Sequence, residues 1–156
     1  VVAGYWNKPE ETEKSIPNGR LHTGDVGVMD KNGWFYIVDR KKDMINASGY
    51  KVWPREVEDV LYGHPSVREA AVIGVPDDRW DERPMACVVL KQNESATAEE
   101  LRTWLSERTA KFWLPERWTF ITEVPKTSVG KFDKKVLRAE YERGELEVTN
   151  VGAAAR

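Results

Sequence analysis

The 156-residue chain carries 24 Lys and Arg against 26 Asp and Glu, a net charge of −2, with 40% hydrophobic residues. That length suits one domain of ordinary size, or a small domain plus a piece of another. No run of about 18 apolar residues and no charged-then-apolar start occurs, which argues against a membrane span and a signal peptide, and the balanced charge offers no field for gripping nucleic acid.

The expectation is therefore a soluble, cytoplasmic protein with no nucleic-acid partner. Cys87 lies in the apolar run 85–90 and reads as a small buried hydrophobe. His22 and His64 are far apart and in no ligand spacing, so no protein-built metal site is expected. The chain starts Val1-Val2-Ala3 without an initiator methionine, which reads as a fragment of something longer.

In chain order, residues 4–18 are polar and broken by Pro9 and Pro17, predicting mostly loop with one helical turn around 10–14. Val26 to Met29 and Trp34 to Val38 flank Asp30-Lys31-Asn32-Gly33, an antiparallel hairpin with turn residues between its strands. Five charges, Asp39-Arg40-Lys41-Lys42-Asp43, then interrupt the apolar pattern; taken alone they read as a solvated turn. Met44-Ile45 and Tyr50 to Val52 predict short strands around Ala47-Ser48-Gly49. Pro54 suits the first helical position, and Val57, Val60 and Leu61 recur at helical spacing until Gly63 and Pro65.

Val67 to Val75 and Pro84 to Leu90 predict two buried strands. Thr97 with Glu100 predicts a capping box opening a helix to about Thr109, and Trp118 to Ile121 a further strand. Asp133 can cap a last helix that turns Val136, Leu137 and Tyr141 inward. The small, polar end, 149–156, is expected to be a flexible tail. The seven tryptophans read as core and inter-domain packing rather than a ligand cage.

Three motifs, each bland in isolation, occur in one order: Thr23-Gly24-Asp25 before a strand, the charged run leading to Gly49, and Pro125-Lys126-Thr127-Ser128-Val129-Gly130-Lys131 before a helix. Together they resemble the C-terminal portion of the adenylate-forming superfamily, which holds acyl-CoA synthetases, luciferases and peptide-synthetase adenylation domains. The likeness runs from Gly4 to about Glu147 and is greatest to fatty-acyl-CoA and related acyl-CoA ligases.

The resemblance implies an α+β fold: a small C-terminal domain, with a short hairpin and a central sheet flanked by helices, preceded by a β-rich remnant of the N-terminal domain. Its implied boundaries are 1–39 for the end of the large AMP-binding domain, 40–42 for the hinge, 43–148 for the mobile C-terminal domain and 149–156 for the tail.

The same resemblance implies the site residues. Asp25 and Arg40 hold the ribose; a carboxylate is acceptor-only and offers two oxygens to two adjacent hydroxyls. Lys42 is the pivot between two domain orientations. Gly49 lines the tunnel for the pantetheine arm of coenzyme A, and Lys51 faces nucleotide or CoA phosphates. Asn46 stands where relatives commonly carry lysine. Lys131 is the catalytic residue, a fixed charge between the α-phosphate and the attacking carboxylate. Arg79 and Arg83 read as a charged surface loop.

The implied parent is an AMP-forming acid–thiol ligase with ATP, Mg2+ and coenzyme A. The Mg2+ ligands, phosphate loop and acyl pocket are expected in the part not present here, so the isolated fragment is expected to be inactive. Its partners are then a small carboxylic acid, ATP, CoA and its own N-terminal domain. An adenylation domain that loads a carrier protein and a non-catalytic nucleotide-binding module remain alternatives.

Overall fold

In the computed structural model, residues 2–152 are described. The chain divides into two compact units, Val1–Lys42 and Asp43–Arg156. The first holds helix α1 (Pro9–Ser15), strand β1 (Asp25–Met29) and strand β2 (Phe35–Arg40). Pro9 starts α1, and Thr12 ties back by accepting the Tyr5 N–H through Oγ1 at 2.8 Å. The helix runs two turns where the sequence suggested one. β1 and β2 pair antiparallel, and Asp30 shapes the turn between them: its Oδ1 accepts from the Asn32 and Trp34 amides at 2.8 and 3.0 Å.

The second unit continues with β3 (Ile45–Ala47), β4 (Tyr50–Val52), α2 (Pro54–Tyr62), β5 (Val67–Asp77), β6 (Asp81–Leu90), α3 (Ala98–Ser106), β7 (Arg117–Phe120), α4 (Lys134–Glu142) and β8 (Thr149–Asn150). The α+β class expected from sequence is what these elements form. β6 is the centre of the sheet, antiparallel to β5 along its length and parallel to β7, with β3 joining it at Ala47 opposite Asp81. Strict alternation along β5 and β6 divides their side chains between two apolar layers. Ala70, Val72, Ala86 and Val88 pack with α2 and α3, whereas Ala71, Ile73, Met85 and Cys87 pack with Leu137 of α4.

Local signals account for the helix ends. Pro54 opens α2. Thr97 Oγ1 accepts the Glu100 amide while Glu100 Oε2 accepts the Thr97 amide, closing the capping box. Asp133 Oδ1 accepts from the Lys135 amide at 3.2 Å. On β5, Glu58 of α2 accepts the Val72 N–H at 2.7 Å and lies 2.6 Å from Lys134 Nζ, so one carboxylate satisfies a strand amide and links two helices. Burial pushes the Cys87 thiol up to about 12, as suits a packing residue.

One expectation fails. Residues 149–152 are not a loose tail: Thr149 and Asn150 pair with Trp118 and Arg117, and Val151 is buried in the layer beside α2 and α3. The open edge of β7 supplies backbone partners that the local composition of this segment does not reveal. Residues 153–156 of that expected tail lie outside the described residues. Among the described residues no helix is long and apolar enough to cross a membrane.

Candidate functional site

Asp25 begins β1 and Arg40 ends β2, and they face each other across the ladder. Their register depends on a bulge. Val26 lies opposite Asp39 but Gly27 opposite Ile37, so β2 holds one extra residue, Val38. An unbroken ladder extended from the Gly27–Ile37 pair sets Asp25 opposite Asp39, carboxylate against carboxylate. Gly27 suits this crowded point, since a β-carbon there would stand 2.7 Å from the Tyr36 carbonyl oxygen. With the bulge, Arg40 Nε lies 3.1 Å from Asp25 Oδ1.

The Lys41 amide donates to the Gly24 carbonyl at 2.8 Å, which ties the charged run to the turn before β1. Thr23, Gly24, Arg40, Lys41 and Lys42 line one cavity of about 530 Å³. Its wall is cationic, which suits an anionic ligand, and one of its lining residues, Arg40, pairs with Asp25. Within this unit Asp25, Arg40 and Lys42 therefore come together.

In the second unit Gly49 sits in the β3–β4 turn with φ of 92°, a region L side chains rarely adopt. Nothing in the fold lies within 4 Å of where its β-carbon would stand, so the turn presents bare backbone. The Ser48 amide donates to the Trp80 carbonyl at 2.9 Å and the Gly49 amide to Asn46 Oδ1 at 3.1 Å. The Asn46 amide in turn donates to Glu82 Oε2 at 3.0 Å. Asn46 thus locks the turn through its amide group. Lys51 is exposed on β4, opposite Asn46.

Lys131 is exposed at the end of a tight loop. Thr127 grips its backbone from both sides, donating its amide to the Lys131 carbonyl at 2.7 Å and accepting the Lys131 amide on Oγ1 at 3.2 Å. The Asp133 amide donates to the Pro125 carbonyl at 2.7 Å, and Lys126 bridges to Phe132. Among the described residues the Lys131 ammonium has no ion-pair partner. Lys126, in contrast, lies 2.7 Å from Glu69 Oε1. The Lys126 hydrogen bond, against partial burial, and the Val124 amide hold the Glu69 carboxyl below its ordinary value.

The Gly49 turn leans on Trp80, just past the end of β5, and the Lys131 loop on Glu69 near its start. Eight residues of strand separate Glu69 from Asp77, roughly 25 Å at about 3.3 Å each. The fold thus keeps these two features apart.

Sequence reasoning missed one site. Arg83, read there as a surface-loop residue, is 8% exposed, with Nη2 2.5 Å from Glu116 Oε1. Arg83 and Arg102 line a cavity of about 400 Å³ with Lys111, Trp80, Tyr50 and Phe112. The Nε atoms of both arginines are buried without a hydrogen-bond partner among the described residues. Orphaned cationic donors facing aromatic rings fit an anion attached to a planar group. Its contributors come from β4, β6, α3 and the segment before β7, so no local motif announces it. Among the described residues no group of three or more His, Cys, Asp and Glu could hold a metal, so these residues do not fit Mg2+.

The profile of the family described as AMP-binding enzyme C-terminal domain matches residues 56–131. A long-chain-fatty-acid–CoA ligase of Bacillus subtilis is 49% identical over 148 residues, covering 94% of this chain and 26% of the relative. The ATP-bound structure of MatB from Rhodopseudomonas palustris superposes with a TM-score of 0.84 at 34% identity, over 91% of this chain and 28% of that one. The amide bond synthetase McbA from Marinactinospora thermotolerans gives 0.82 at 39% identity, over 89% and 29%. The chain spans about a quarter of the length of the relatives it matches. Residues 56–131 thus carry the AMP-binding enzyme C-terminal domain, and the chain matches the C-terminal portion of long-chain-fatty-acid–CoA ligases and, in fold, of adenylate-forming enzymes.

Proposed function

We propose that the chain is the C-terminal part of an ATP-dependent acyl-CoA synthetase, which converts a carboxylic acid, ATP and CoA to acyl-CoA, AMP and pyrophosphate through an acyl-adenylate. The observation that carries this reading is Lys131, an ammonium with no ion-pair partner among the described residues, at the end of a loop that Thr127 closes by two hydrogen bonds. In the first half-reaction a carboxylate oxygen attacks the α-phosphorus and the bond to pyrophosphate breaks. Lys131 draws two mutually repelling anions together and stabilises the charge that grows on the phosphoryl oxygens.

Asp25 accepts hydrogen bonds from the two ribose hydroxyls, while Arg40 orients that carboxylate and lies against the sugar. In the second half-reaction a thiol sulfur attacks the acyl carbon, AMP leaves and the thiol proton passes to solvent. The bare backbone at Gly49 gives the thiol arm a path, and Lys51 holds a phosphate beside it. That the Gly49 turn and the Lys131 loop lean on opposite ends of β5 suits one domain that serves the two steps in turn, with Lys42 as pivot. Coenzyme A is the favoured acceptor, because the Arg83–Arg102 cavity offers cationic donors and aromatic faces of the kind its nucleotide end requires. The isolated chain lacks the acyl pocket and is inactive by itself.

The test extends the chain to its full-length parent and follows acid-dependent ATP–pyrophosphate exchange, then CoA-dependent thioester formation, across acids of varied length. Lys131→Ala lowers exchange by about 100-fold or more and leaves thioester formation from supplied acyl-adenylate within a few-fold. Equal loss in both steps overturns the division of labour.

A further inference from the structure

The Lys131 loop contains a second lysine, Lys126, on its other arm. Two flexible ammonium groups on one short loop would compete for the same anion. Only one of them is engaged. Glu69 Oε1 lies 2.7 Å from Lys126 Nζ, and Glu69 Oε2 accepts the Val124 amide at 3.2 Å. The carboxylate thus holds both the backbone that enters the loop and the first lysine on it. Glu69 stands on β5 opposite Val89 of the central strand, between exposed Arg68 and the buried run that begins at Ala70. Held there, Lys126 lies 5.8 Å from the centre of the Phe132 ring, next to Lys131 in sequence. Val124, buried in the layer beside α4, and Phe132, packed against it, anchor the loop to the core, and Glu69 adds a polar tie to them.

We propose that Glu69 is a positioning residue for adenylation: it anchors the loop to β5 and removes Lys126 from competition, so that Lys131 alone is presented to the anions. This rests on the reading of Lys131 given above. Glu69 touches no reacting atom and acts through Lys126 and the Val124 backbone.

Glu69→Gln keeps the side chain's shape and removes its charge. In the full-length parent, with C8 to C18 fatty acids, it lowers kcat for ATP–pyrophosphate exchange about tenfold, with KM for ATP less affected. Thioester formation from the corresponding supplied acyl-adenylates stays within twofold. Lys126→Met, which removes the competing ammonium and keeps the Glu69–Val124 bond, lowers kcat less than Glu69→Gln does, and the double variant recovers part of the Glu69→Gln loss.

Independently of chemistry, amide hydrogen exchange at Gly130 and Lys131 of the present chain rises about tenfold in Glu69→Gln while the β6 amides are unchanged. Equal loss in the two half-reactions, additive single effects, or unaltered exchange at Gly130 and Lys131 overturns the proposal. A wild-type parent with no acid-dependent exchange overturns the adenylation reading and the catalytic half of this proposal, while the amide measurement still decides whether Glu69 anchors the loop.

Discussion

The two units differ in how they use apolar side chains. In the second, β5 and β6 are covered on both faces, and Ile73, Leu61, Met85 and Leu137 are sealed from solvent. In the first, the hairpin leaves Trp34 at 69%, Phe35 at 75% and Ile37 at 56% exposure, and the side chain most enclosed in it is a charged one, Asp39. A two-stranded ribbon is marginal in water by itself. One unit thus owes its shape to its own core. The other owes it to turn chemistry: the Asp30 carboxylate, the Gly27 bulge and the Arg40–Asp25 pair. The residues proposed to grip the ribose sit on the unit without a core, and the proposed adenylation lysine on the unit that has one.

Cutting the chain breaks this comparison most severely. Residues 43–152 alone unfold in one cooperative transition, followed by circular dichroism in urea, whereas 1–42 alone give the narrow amide dispersion of an unfolded peptide. A stable 1–42 hairpin overturns the contrast. A milder probe compares truncations. Ile73→Ala in the second core costs about 2–5 kcal/mol, and Ile37→Ala on the exposed ribbon stays within about 0.5 kcal/mol, both read from denaturant midpoints. Comparable costs would mean that the ribbon is buried in solution.

The smallest effect is electrostatic. Burial pushes the Asp77 carboxyl up, but the Arg79 amide, the Arg117 guanidinium and the Trp80 amide together hold it below its ordinary 3.8. Its folded pKa is depressed, so the unfolded chain binds the extra proton. The contribution is complete above 3.8 and disappears as pH falls through the folded value. Asp77→Asn therefore flattens the acid limb of the melting curve of the second unit below about pH 4 and changes little at pH 7 in its slope. An acid limb unchanged by the substitution sinks this assignment.

Legibility in the sequence followed range. Thr97 with Glu100, Pro54 and Asp133 announced their helix ends because each cap acts within one turn. The hairpin at Asp30 and the turn at Gly49 were equally local. β8 was invisible because Thr149 pairs with an edge formed about thirty residues earlier, and nothing in its own residues encodes that. The Arg83–Arg102 cavity escaped for the same reason, as did Glu69, whose partner Lys126 is 57 residues away. The motifs at Asp25, Lys42 and Lys131 could be found by resemblance, but their supports could not. Of the seven tryptophans, Trp118 is fully enclosed, whereas Trp6 and Trp34 lie largely on the surface, and residue type alone does not sort them.

The bulge beside Gly27 makes the hairpin a counting device. A change of residue type along β2 alters a surface, but a change of length alters the arithmetic. Deleting Val38 removes the bulge yet leaves Asp25 opposite Arg40, whereas one residue inserted between Val38 and Asp39, with the bulge kept, sets Asp39 opposite Asp25, so that Asp25 meets an acid instead of a base. An insertion on β2 between the bulge and Arg40 is thus the change of length this segment is least able to absorb, even though the added residue touches no ligand.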